Sequence, residues 1–338
     1  MTEHRLITGK FLRHSPAYYQ WRVADREKIL SQSPTPEAFD DLAVAHEKLG
    51  HHQQAIDLAI EKEKQFPGLY KTRANLGTFY IHAGDLQRGV QEIEAAIAIN
   101  PDAHFGREEY QKLLVEYVLA NRNEDRPGPL QDGRGDFGFA ATGFAKYVLD
   151  TKQIANASDR KRQTEIEKAA KGILGMMRFG NHESPILLEA LGDLLLSRGY
   201  PKDAKRLAAR AYLKASYGSK DPLVRDAYRD LAKRSLSMQT VASGVPKSLK
   251  LETLEKAFRK ELAAGEAWFE KVEADEKKWI QSGINVDEAF SKKYYRTPRV
   301  AMRLTPWTLL SPTYLVAIAI LAFMASAVQR WRRKASTQ

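Results

Sequence analysis

PEAFDDLAVAHEKLGHHQQAIDLAIEKEKQFP, residues 36–67, and the GLYKTRANLGTFYIHAGDLQRGVQEIEAAIAINP that follows it, residues 68–101, decide the fold. Shifted by 34 residues the stretch falls on itself, with Leu42 on Leu76, Ala43 on Gly77, Gly50 on Gly84, Ile56 on Val90 and Pro67 on Pro101. Within each unit apolar residues recur at three- and four-residue spacing up to a Gly that can end one helix. They then resume until a Pro that the next helix cannot run through. Two antiparallel helices per unit follow: 36–49 with 53–66, and 71–83 with 86–99. Ala43 and Gly77 in the first helices, and Ala55 and Gly89 in the second, put small residues where helix backbones approach closely. The pattern predicts an all-α repeat solenoid.

This register resembles the tetratricopeptide repeat (TPR), whose period is also 34 residues. The aromatic near the start of that family's first helix is Phe39 in one unit and Arg73 in the next, and its Tyr is His46 and then Tyr80. The resemblance implies that the first helices line a concave protein-binding groove, and it places Asp40, Val44, Glu47, Lys48, Ala74, Thr78, Ile81 and His82 there. Members that grip a terminal carboxylate carry Lys and Asn where this chain has Asp40 and Val44, so an extended or helical protein segment is the implied ligand. A helix pair of this kind cannot bury its apolar face alone, so further units are expected on both sides.

Outward from the repeats, the apolar residues of 18–30 predict a lone helix, making 1–35 an N-terminal cap. Residues 101–121 read as the first helix of a third unit, completing a repeat region over 36–121. Residues 121–138 hold four Gly and two Pro, which predicts a flexible surface loop over 122–138. An irregular helical region follows over 139–240, in which Leu191-Gly192, Gly199 and the Ala204, Ala208, Ala211 face echo the repeat. Residues 241–303 comprise a long charged helix, 249–280, and a basic juxtamembrane stretch.

The formal charge of +11 is local. From Ser291 onward there are nine Lys or Arg and no acidic residue, which leaves 44 basic against 42 acidic residues before it. The excess brackets an apolar segment, pointing to lipid headgroups and not to nucleic acid. No charged residue occurs from Leu304 to Gln329, and Pro312 to Trp331 is 20 residues. At 1.5 Å per residue that is about 30 Å, a bilayer's hydrocarbon thickness. With Trp307 and Trp331 at its ends, 304–331 is expected to be a single transmembrane helix and 332–338 a basic tail. Residues 1–17 carry no apolar run of signal-peptide length, so the chain as written is expected to begin without a leader.

No catalytic signature is present: no Gly-rich phosphate loop before a Lys, no Gly-flanked nucleophilic Ser, no His-Glu-x-x-His. There is no cysteine, which excludes disulfides, thiolate metal sites and thiol chemistry. Asp132-Gly133-Arg134-Gly135-Asp136 begins like a calcium loop, but Arg134 and Gly143 stand where oxygen ligands are needed. His51-His52 lack companions at metal-ligand spacing. The neighbours Asp40-Asp41 and Glu108-Glu109 diverge by about 100° on a helix and read as surface charge.

Leu6-Ile7-Thr8-Gly9-Lys10-Phe11 and Pro101-Asp102-Ala103-His104-Phe105-Gly106-Arg107-Glu108 resemble stretches of uncharacterised bacterial repeat proteins, some with an export leader and a C-terminal membrane helix. The expectation is a membrane-anchored, non-catalytic TPR-like scaffold that binds a protein or peptide, without cofactor or metal. An enzyme with a site in 121–182 is the alternative. The tight basic cluster after 329 favours an exported body; the missing leader favours a cytoplasmic one.

Overall fold

The computed structural model describes residues 2–122, 128–130, 141–197, 203–237 and 250–295, except the side chains of 104 and 105. The expected transmembrane segment 304–331, the tail 332–338 and most of the 122–138 loop lie outside the described residues. Among the described residues there is no strand, and no helix is long and apolar enough to cross a membrane.

The helices are α1 (Glu3–Ile7), α2 (Pro16–Gln32), α3 (Pro36–Lys48), α4 (His52–Gln65), α5 (Tyr70–His82) and α6 (Leu86–Ile99). A 3-10 turn (Ala103–Gly106) leads into α7 (Arg107–Asn121), followed by α8 (Gly143–Thr151), α9 (Asp159–Phe179) and α10 (Pro185–Ser197). The last are α11 (Ala204–Gly218), α12 (Pro222–Ser237), α13 (Leu251–Gln281) and α14 (Val286–Tyr294). Consecutive helices stack, from α2 through α7 and again from α9 through α12.

Local chemistry sets the boundaries. Ser15, Thr35 and Asp85 accept hydrogen bonds from the backbone N–H three residues on, capping α2, α3 and α6. Pro16 and Pro36 open α2 and α3 at positions whose N–H has no helical acceptor. Gly50 and Gly84, at φ +81° and +91°, take the left-handed conformation that ends the first helix of each unit.

The close crossing inferred from small residues lies between α5 and α6. A Cβ on Gly77 would stand 2.8 Å from Ile93 Cδ1 and 3.0 Å from the Gly89 carbonyl oxygen, and one on Gly89 would stand 2.5 Å from Ile81 Cγ1. The equivalent Ala43 and Ala55 are buried in the core between α3 and α5, with Ile56, Leu76 and Phe79.

The main core lies further along, among α7 to α13, and contains Leu6, Ile7 and Phe11. The N-terminal segment is therefore not simply a cap: α2 packs on α3, but α1 packs on α9 and α11. The residues after it run along α13, where a Cβ on Gly265 would lie 2.1 Å from the Thr8 carbonyl oxygen. His14 Nδ1 meets the buried Glu276 at 2.6 Å, and Glu276 also accepts from the Ser15 N–H at 2.9 Å. The helix α13 reaches from α11 and α12 at one end of the array to α2 at the other. There Asp287 accepts from Tyr18 at 2.6 Å and pairs with Arg22 and Arg26, which also hold Asp41 of α3.

Contacts divide the chain into two units, Met1–Ala289 and Phe290–Gln338. Of the second, only 290–295 are described; there the Phe290 ring lies 4.8 Å from Tyr294 and 5.6 Å from Tyr295.

Candidate functional site

The eight groove residues implied by the repeat register lie on α3 and α5, and most are engaged within the chain. Asp40 receives the Lys62 ammonium at 2.6 Å and the Asn75 amide at 3.1 Å. Lys62 is 1% exposed, so this carboxylate balances a buried cation. Glu47 receives His52 Nδ1 at 2.9 Å and also His82 Nδ1. Burial alone would raise the Glu47 carboxyl, but the two imidazoles outweigh it and hold it below its ordinary value. Thr78 Oγ1 donates to the Ala74 carbonyl and accepts from Gln111 of α7, both at 3.0 Å. Ala74 is buried, Val44 packs on the α3–α5 core and Ile81 covers Gly89. His82 is the most open of the eight.

Lys48 leads elsewhere. Its ammonium donates to the carbonyls of Phe179 and, at 2.8 Å, Gly180, where α9 ends. Two residues on, His182 meets the Phe11 ring edge-on at 5.0 Å. Arg13 donates to the Gly9 carbonyl at 2.5 Å and lies 3.6 Å over the Phe269 ring. Gly9 packs closely on both groups, since a Cβ there would be 3.2 Å from His182 Nε2 and 3.8 Å from Arg13 Nη2. Lys214 of α11 completes the cluster, with its Nζ 3.7 Å from Glu183 Oε1; His182 Nε2 is 3.9 Å from the same oxygen. Four elements distant in sequence thus bring three cations and an imidazole to one recess.

Its electrostatics are unbalanced. The side chains of His182 and Lys214 are 13% and 9% exposed, while Glu183, the carboxylate that faces them, is 67% exposed. Burial, then the charges of Lys214, Arg13 and Lys48, push the His182 imidazole down to about 3, so it is neutral at pH 7. Burial brings Lys214 down to about 8, with Glu183 opposing and Arg13 assisting. Arg13 and Lys48 are also lowered by burial, against Glu183 and Glu47 respectively. Chemically the recess offers N–H donors and positive potential.

The sequence pattern misses Arg13, His182 and Lys214 because each belongs to a different element. One signal was available: in Ala211-Tyr212-Leu213-Lys214-Ala215-Ser216 the lysine stands alone in a run that is buried throughout. The histidines of the α3–α4 turn form pairs, His46 with His51 at 3.3 Å and His52 with Glu47. Among the described residues no three His, Cys, Asp or Glu side chains are grouped so as to hold a metal ion. A second concavity, about 570 Å³ and open, lies between α12 and α13. Glu255 at its centre is held by Arg229, bidentate at 3.0 and 2.7 Å, and by Arg259 at 2.9 Å. No protein-family model matches this chain, and no curated protein matches it either.

Proposed function

We propose that this chain is a membrane-attached scaffold of the tetratricopeptide-repeat kind, which binds another protein or peptide and carries out no catalysis. The α5–α6 crossing supports this reading most directly: Gly77 and Gly89 meet at the positions where the 34-residue register puts small residues. Stacking helix pairs at such crossings produces an extended array with a large surface for its volume, suited to gripping a polypeptide segment. Attachment rests on the uncharged 304–329 stretch between basic flanks, and the tighter cluster at 330–334 favours a cytoplasmic tail with the body across the membrane.

The test places a photo-crosslinking amino acid at His82, exposed on the α5 face, and separately at Gln87, on α6. In native membranes, irradiation should give an adduct with another polypeptide from position 82 and none from 87. No adduct from position 82 would refute the groove as the binding surface.

A further inference from the structure

We infer that the recess between the end of α3, the α9–α10 turn, the N-terminal segment and α11 is a binding site for a compact phosphate-class oxyanion. It stands whether or not the repeat groove holds a protein, since it uses only Lys48 of the groove residues.

Charge is the first argument. Arg13, Lys48 and Lys214 bring three positive charges, and Glu183 is the carboxylate set against Lys214 and His182, at 3.7 and 3.9 Å and largely in water. Burying cations without matched anions is unfavourable, and with Glu183 largely in water and Glu47, the carboxylate beside Lys48, already taken by His52 and His82, an incoming oxyanion supplies the missing negative charge. Donor geometry is the second. Arg13 lies 3.6 Å over the Phe269 ring, a contact that uses the guanidinium face and does not consume its N–H donors. Nη1 is used by Gly9, and Nη2 lies on the same side of Gly9 as His182 Nε2. Among the described residues the His182 ring, whose side chain is 13% exposed, has no hydrogen-bond partner. The Glu183 oxygen pairs loosely with both, 3.7 Å from Lys214 Nζ and 3.9 Å from His182 Nε2, so an incoming anion competes with it.

Selectivity follows from what the recess lacks. A nucleic-acid backbone needs a row of exposed cations, whereas here Lys214 is 9% exposed. The ligand is either free phosphate or the monoester end of a larger molecule.

The experiment is calorimetric titration of the full chain in detergent with inorganic phosphate and, separately, glycerol 3-phosphate, each at ionic strength matched with chloride. Saturable binding of inorganic phosphate alone assigns the site to the free ion, and binding of both assigns it to a monoester end. Glu183→Gln, on an exposed side chain, should tighten binding at least threefold by removing the competing charge. Lys214→Met should weaken it at least tenfold. No saturable binding of either ligand, or a dissociation constant that Glu183→Gln leaves unchanged or weakens, would overturn the assignment even if Lys214→Met failed to fold.

Discussion

Substituting Gly77 by Ala adds one methyl group to a helix and, by intrinsic propensity, should stabilise it by about 1 kcal/mol. The structure predicts the opposite sign. That methyl would sit 2.8 Å from both Cγ1 and Cδ1 of Ile93 and 3.0 Å from the Gly89 carbonyl oxygen. Ile93 is fully buried and has no solvent to swing into. Separating α5 from α6 would open contacts along both helices, so the strain has no inexpensive outlet. Overpacking of this kind costs about 1–3 kcal/mol. The propensity gain offsets part of that, leaving a net loss of about 0–2 kcal/mol. Because that range reaches zero, the decisive measurement is a double-mutant cycle. Ile93→Ala deletes both offending carbons and alone should cost about 2–5 kcal/mol through the cavity left behind. In the combined variant the methyl added at Gly77 points into that cavity, so the two costs should fall short of their sum by about 1–2 kcal/mol. Denaturant unfolding followed by helical circular dichroism gives all four stabilities. Strict additivity would mean that Gly77 and Ile93 do not share a crossing, and the repeat register would be lost with it.

Asp40→Ala leaves the Lys62 ammonium buried without its carboxylate and should cost about 3–5 kcal/mol, with Lys62→Met added on top restoring most of it; an effect under about 1 kcal/mol would return Asp40 to the role of a free groove residue. Lys214 has a folded value near 8 against about 10.4 unfolded, so the unfolded chain holds the extra proton between them and stability should rise as pH goes from 8 to 10. Lys214→Met should remove that rise when measured without phosphate, and an unaltered pH profile would contradict it. His182, near 3 when folded and about 6.5 when unfolded, should make stability fall as pH drops from 6.5 towards 3, and His182→Gln should flatten that limb. Deleting 312–338 should move the protein from a carbonate-resistant membrane pellet to the soluble fraction with its helical signal retained; continued resistance would rule out the anchor.

What could be read from sequence was whatever one helix or one turn encodes by itself. Gly50, Gly84, Pro67 and Pro101 punctuate the chain through local backbone preferences, and the 34-residue register follows from them. The Gly77–Gly89 contact was also legible, because two small residues at matching positions of paired helices mark a close backbone approach. The fate of the groove residues was not. The register places Glu47 and Lys48 on the groove face but says nothing of the contacts Glu47 makes with His82 and His52, or Lys48 with carbonyls more than 130 residues away. The recess was hidden for the same reason: Arg13, His182 and Lys214 are made neighbours by the return of α13 and by the burial of a segment whose polar composition carries no periodic signal.

The N-terminal segment also sets an order of events during synthesis. Leu6, Ile7 and Phe11 are made long before most of the core that buries them, and His14 meets its partner Glu276 only 262 residues later. At a translation rate of about 5–20 residues per second that wait is roughly 13–50 s. The stacked pairs from α3 to α6 need only near neighbours and can form meanwhile, but these three apolar side chains have no docking place until α9, α11 and α13 exist. The segment therefore stays without its docking surface from its own synthesis until α13 has been made, and its protection from proteolysis should appear only with α13.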